Sequence, residues 1–387
     1  MPLFRILDFF RNSLCLKKSR IFGQIYWEIL RGYMRIWSKN LTIKIPKRLI
    51  LASKLGFKII ILCYLSSLWT SEPSDYLIPS SPKTVGGADI DINIDFLYWT
   101  ARNPGLNASM GNLYPGGSAL PEKGNISGLN YEISPGFKLG LGIILDHDGA
   151  FLDFEYTRLG TSASAKTFEE EENTLYPTFN INPAENPSPI FYSSPDWNLH
   201  FSKITVIIGR GGYIGEYTTF TPYFGLVNAF ITQHYNINYK NLPVNEQLFT
   251  FIFKQNGVGL RFGNNGTLYT YYKKIAIGLT TDLAFSTLLT KFRVLQNTTQ
   301  IDEVGDIPLT KLYFMNSFHA VMPTIDLLLG LKIEKPFCSN RYNGSLMIAW
   351  ESQVWFLGNP FAATPLISLN LGQLSLSGLT LQSRFDF

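Results

Sequence analysis

The sequence predicts an all-β protein: an antiparallel, up-and-down transmembrane β-barrel of about ten strands, preceded by an N-terminal export signal. Three observations predict it. Apolar and polar residues alternate along segments of well over ten residues, whereas strands of soluble domains have about 5 or 6 residues and membrane-crossing strands need roughly 9 to 11. Aromatic residues make up 14% of the chain and charged residues only 16%, so its surface must tolerate contact with apolar groups. The chain also ends in an alternating segment that closes on Phe387.

The first element is a basic leader, residues 1–71. Residues 1–58 carry 13 Lys and Arg against Asp8 and Glu28, a net +11, and the remainder carries 20 basic against 27 acidic residues, a net −7. The basic pI of 8.7 is therefore a property of the leader, and no nucleic-acid partner is expected. Residues 59–69 (IIILCYLSSLW) form an uncharged run that is too short to span a bilayer and has the length of a signal-peptide h-region. The translation start and the cleavage point are left open. Residues 72–88 are read as a periplasmic linker and 89–387 as the barrel. Beyond residue 71 no uncharged apolar run reaches 18 residues, which excludes a helical membrane protein for this part.

Alternation then places the strands. From Asp89 to Tyr98 the even positions are Ile90, Ile92, Ile94, Phe96 and Tyr98, with Asp91, Asn93 and Asp95 between them. Strands are expected at 89–99, 130–145, 150–159, 197–209, 217–234, 249–263, 267–289, 313–334, 344–357 and 374–387; twelve would result if 290–312 and 358–373 hid a further pair. Compact turns fall at 146–149, 209–216, 264–266 (Asn264-Asn265-Gly266) and 335–343. Long loops fall at 100–130, 160–196, 235–248, 290–312 and 358–373. Short turns are periplasmic and long loops external in such barrels. Parity slips near Ser202 to Ile204 and Gln255 to Val258 suggest bulges or misplaced boundaries, and leave Lys203 and Arg261 unassigned.

If the greasy face meets lipid, the other face lines the lumen. Parity puts Asp91, Asp95, Glu132, Asp153, Glu155, Asp282, Asp326, Glu334, Glu351 and Asp386 there, against Lys138, Lys274, Lys332 and Arg384. Acid exceeds base, so the expected function is porin-like passive diffusion of small hydrophilic solutes with a mild preference for cations. A barrel of this size has a narrow interior that side chains can nearly fill, with opposite charges paired. The alternative is therefore a closed structural or adhesive barrel presenting surface loops.

Other chemistry is weakly supported. Cysteines at 15, 63 and 338 leave one thiol after leader removal, so no disulfide or zinc site is expected. The four histidines lack ligand spacing, and the Gly140-Leu-Gly142 and Gly257-Val-Gly259 pairs do not open helices. An outer-membrane hydrolase built around Asp146, His147 and Asp148 is a second alternative, although a polar hairpin is the simpler reading. The acidic run Phe168–Asn173 reads as a solvated loop tip. No cofactor and no enzymatic activity are expected.

Several segments carry a resemblance. Phe96–Leu106 (FLYWTARNPGL), Ile133–Leu159 and Gly378–Phe387 (GLTLQSRFDF), with weaker echoes at Tyr223–Tyr235 and Gln255–Gly263, resemble the major-outer-membrane-protein-like proteins of Legionella and chlamydia-related bacteria. The resemblance spans most of 90–387 and implies an abundant, porin-like outer-membrane barrel without catalytic residues. The terminal face of Leu379, Leu381, Phe385 and Phe387 looks like the signal by which barrel-assembly machinery recognises its clients. The partners implied are outer-membrane lipid, that machinery, and small hydrophilic solutes or ions; homo-oligomerisation is left open.

Overall fold

A computed structural model describes residues 89–106, 108–112, 124–144, 150–168, 174–179, 189–213, 217–241, 245–272, 275–302, 308–337, 342–359 and 372–387. The leader, the h-region, the linker and Lys274 lie outside the described residues, as do 146–149 and most of the acidic run after Phe168.

The described residues form no helix. Their strands are β1 (Asp89–Arg102), β2 (Ser109–Asn112), β3 (Gly124–Ser127), β4 (Asn130–Tyr131), β5 (Ile133–Ile144), β6 (Ala150–Ser164), β7 (Thr167–Phe168), β8 (Thr174–Pro177), β9 (Ile190–Arg210), β10 (Gly212–Tyr213), β11 (Thr218–Asn241), β12 (Asn245–Tyr272), β13 (Ile275–Asp302), β14 (Pro308–Phe337), β15 (Tyr342–Asn359) and β16 (Gly372–Asp386). Ten of them, β1, β5, β6, β9 and β11 to β16, pair antiparallel in chain order, and β16 returns to β1. The sheet is therefore closed and has no edge along that seam.

Closure depends on backbone contact at the seam. Gly378 of β16 faces inward opposite Trp99 of β1, and a Cβ there would lie 2.1 Å from the Tyr98 carbonyl oxygen and 2.7 Å from the Trp99 Cα. Both obstacles are main chain, which cannot rotate away. Gly378→Ala is expected to reduce the folded, heat-modifiable form several-fold on refolding. Unchanged yield would show that the seam can shift to admit a methyl group.

The lipid-facing side follows the predicted parity. Ile90, Ile92, Ile94 and Tyr98 on β1, Phe137 to Ile143 at odd positions on β5, and Leu327 to Ile333 at odd positions on β14 are all exposed; Trp350 on β15 is 59% exposed. Large apolar groups turned outward around a closed wall are what a membrane barrel requires.

Four sequence expectations fail. Asn264-Asn265-Gly266 is not a turn: it lies inside β12, paired with Pro222, Thr221 and Phe220 on one side and Leu283, Asp282 and Thr281 on the other. Two strands satisfy its backbone groups, and that outweighs the local turn preference. β12 runs on to Tyr272 and β13 begins at Ile275, so the strand expected at 267–289 is split between them. The loops expected at 235–248 and 290–312 are mostly strand, because β11–β12 and β13–β14 continue as hairpins. At 30 residues, β14 rises roughly 75 Å at the usual pitch and tilt, about three times the height of an outer-membrane apolar band. No bulge occurs at Ser202 to Ile204 or at Gln255 to Val258, where the registers run without interruption.

Candidate functional site

The site is the barrel interior, built by the inward positions of ten strands. It has two zones. Toward the end that carries Asp89 and Phe387 it is polar and charged; toward the long-loop end it is apolar.

The charged zone contains most of the residues predicted to face the lumen, and Asp91, Lys138, Lys332, Glu334, Glu351, Arg384 and Asp386 pair among themselves. Lys138 on β5 donates to both carboxylate oxygens of Glu351 on β15 at 2.7 Å, three strands away around the wall. Glu351 also accepts from Thr380 at 3.2 Å and Gln353 at 3.0 Å, while the Lys138 ammonium sits 5.4 Å from the Trp99 ring centroid. Arg384 pairs with Asp386 at 2.7 Å and with Asp91 at 3.3 Å, and Asn343 donates to Asp386 at 2.9 Å. Tyr223 donates to Asp282 at 2.7 Å, Gln382 to Asp95 at 3.3 Å and Thr157 to Glu155 at 3.3 Å; Lys332 pairs with Glu334. Asp153 turns a carboxylate oxygen over Gly142, beside one from Asp91.

Lys203 and Arg261, which parity left unassigned, both face inward. Lys203 on β9 donates to Asp326 on β14 at 3.1 Å, reaching four strands around a ten-stranded wall, and Arg261 on β12 pairs with the same carboxylate oxygen. All three are buried: Lys203 is 2% exposed and Asp326 6%. Glu132 is the exception among the predicted residues. It is exposed between β4 and β5, where 132 and 133 both face solvent, so it does not join the interior. A strand end lacks the second neighbour that fixes sidedness, which is why parity misleads there.

The apolar zone was not foreseen. Leu97, Trp99, Trp197, Phe201, Phe253, Phe292 and Trp355 are almost fully buried in one cluster inside the wall. Phe201 on β9 and Trp355 on β15 are five strands apart in either direction, yet their rings meet at 5.3 Å between centroids. Side chains from opposite walls therefore touch on the barrel axis. The long-loop segments add to the cluster through Leu106, Ala108, Leu175 and Phe179, whose ring lies 5.2 Å from that of Phe251. Some polar groups here are paired: Asn103 donates to Gln233 at 3.0 Å, Trp197 to Gln233 at 3.2 Å and Trp99 to Thr380 at 3.1 Å, whereas the Trp355 indole N–H has no hydrogen-bond partner among the described residues.

The sequence did carry a trace of this zone. Its supposed parity slips were inward aromatic residues on the polar face: Phe201 precedes Lys203 on one side of β9, and Phe253 precedes Gln255 on one side of β12.

At the C-terminus, Leu379 and Phe387 face outward and exposed, and Leu381 and Phe385 are half-buried. The Phe387 amide donates to the Ile90 carbonyl at 2.8 Å, and its ring packs edge-on to Tyr342 at 6.2 Å. Among the described residues no group of three or more His, Cys, Asp or Glu is arranged to hold a metal ion.

A family profile described as the Legionella pneumophila major outer membrane protein precursor matches residues 86–387. No curated protein matches. Similar solved structures include a major outer membrane protein from Thermus thermophilus, 9% identical, with 78% of this chain and 100% of that chain covered at a TM-score of 0.31. The outer membrane protease OmpT from Escherichia coli is 8% identical, with coverage of 79% and 99% at a TM-score of 0.32. A FadL homologue from Pseudomonas aeruginosa is 8% identical, with coverage of 80% and 92% at a TM-score of 0.24.

Proposed function

Since the chain belongs to the family of the Legionella pneumophila major outer membrane protein and is an outer-membrane β-barrel, we propose that it is a structural barrel, closed at rest, that presents long hairpins at the cell surface. The observation that carries this reading is the contact of Phe201 with Trp355 across the full width of the barrel, with 0% and 1% of those residues exposed. Water in an open lumen would reach inward side chains; here Gln353 and Lys203, well inside the wall, are buried as well. The surface role is supported by the β13–β14 hairpin, where Tyr313, Phe314, Met315 and Phe318 are exposed beyond the last pairing of β14 with β15.

A second reading is the porin expected from the sequence. It is favoured by the charged zone, which would line a passage if the apolar cluster moved aside. Acids still outnumber bases there, but Lys203 and Arg261 narrow the excess, and most charges are paired. Planar-bilayer recording of the purified chain separates the two readings. The closed-barrel reading expects no steady current in the wild-type protein. A sustained ohmic conductance would overturn it in favour of the porin, and cation over anion permeability would then support the expected preference.

A further inference from the structure

Just above the apolar belt, on the long-loop side, the outward residues of neighbouring strands form two rows across the wall. One runs Arg158, Ser202, Phe230, Asn256, Lys291, His319 and the next Gly160, His200, Thr232, Lys254, Arg293, Ser317. Neither row contains an Asp or a Glu. Arg158, His200, Lys254, Lys291, Arg293 and His319 are all exposed. Lys254 and Arg293 are direct cross-strand partners, Lys291 and His319 are the next pair, and Lys291 lies two residues from Arg293 on the same face. Directly opposed like charges destabilise a sheet unless an anion lies between them. The barrel's own buried acids cannot serve, because they face the interior.

The row beneath ends the belt with Val258, Leu289 and Val321, which are 55%, 60% and 54% exposed. In a protein of the outer membrane, cations at that height meet the headgroups of the external leaflet. We propose that Lys254, Lys291, Arg293 and His319 bind the phosphate of an outer-leaflet lipid with a phosphorylated sugar headgroup. Several cations on one face suit a phosphate monoester, which offers several acceptor oxygens. The adjoining Asn256 and Ser317 supply neutral partners for sugar hydroxyls, and the belt below receives the acyl chains. The site rests on the outer-membrane location and does not depend on whether the lumen is open.

The test titrates the purified full-length chain, in neutral detergent, with bisphosphorylated lipid A and with its dephosphorylated form, counting lipid retained per chain. Retention of the phosphorylated form alone is expected. The triple substitution Lys254→Gln, Lys291→Gln, Arg293→Gln should weaken it roughly a hundredfold, while Arg210→Gln, at the other end of the wall, should leave it unchanged. These surface changes leave the core intact, which an unaltered heat-modifiable gel shift would verify. Equal retention of the dephosphorylated lipid, no effect of the triple substitution, or an equal loss with Arg210→Gln would overturn the proposal. Displacement of the lipid by an equal concentration of inorganic phosphate would also overturn it, by assigning the cluster to a free anion.

Discussion

Asp326→Ala is expected to destabilise the folded barrel by about 3–5 kcal/mol, the usual cost of stranding buried charge. Asp326 receives both Lys203 and Arg261, and neither cation can reach bulk water without distorting the wall. Removing the carboxylate leaves two positive groups facing each other in a low-dielectric interior. Urea unfolding in lipid or detergent, followed by gel mobility, measures the effect. The companion variant separates charge from packing: with Lys203→Met and Arg261→Met added to Asp326→Leu, the charges leave together and stability should return to the parental level or above it. A loss below about 1 kcal/mol for Asp326→Ala would mean that water enters this part of the interior and that the closed-barrel reading is wrong.

The second large effect concerns the plug. Phe201→Ala and Trp355→Ala should each cost about 3–5 kcal/mol, as expected for truncating a large buried aromatic side chain. Because the rings touch, the double substitution should cost less than the sum of the two. Its functional result is the more telling: a steady current in planar bilayers, or swelling of reconstituted vesicles in small sugars, absent from the parent. If the double variant folds and remains impermeable, the Phe201–Trp355 contact is not what closes the lumen. Truncating Phe253, which packs on Phe292 at 5.8 Å in the same cluster, should add to the current.

The parts of the site that were legible in the sequence are those governed by a period of two. Asp91, Asp95, Lys138, Glu334 and Glu351 sit in strands paired on both sides, so one residue's sidedness fixes that of its neighbours. Glu132 misled because it stands at a strand end. Asn264-Asn265-Gly266 misled because a local turn signal was read without the two strands that flank it. The parity slips near Ser202 to Ile204 and Gln255 to Val258 were the costliest misreadings: the aromatic residues just before them, Phe201 and Phe253, lie on the polar face and mark the inside of the plug.

What the sequence determined alone is the two-sidedness of the wall: alternation over segments long enough to cross a membrane, an outward apolar belt, and a charged inward stripe. Which charges pair, and whether the enclosed space is empty, was decided only by the tertiary structure. Alternation is a property of one strand, whereas the Lys203–Asp326 and Phe201–Trp355 contacts join residues more than a hundred positions apart in the chain. Their meeting depends on how many strands close the ring and on the narrow diameter that follows.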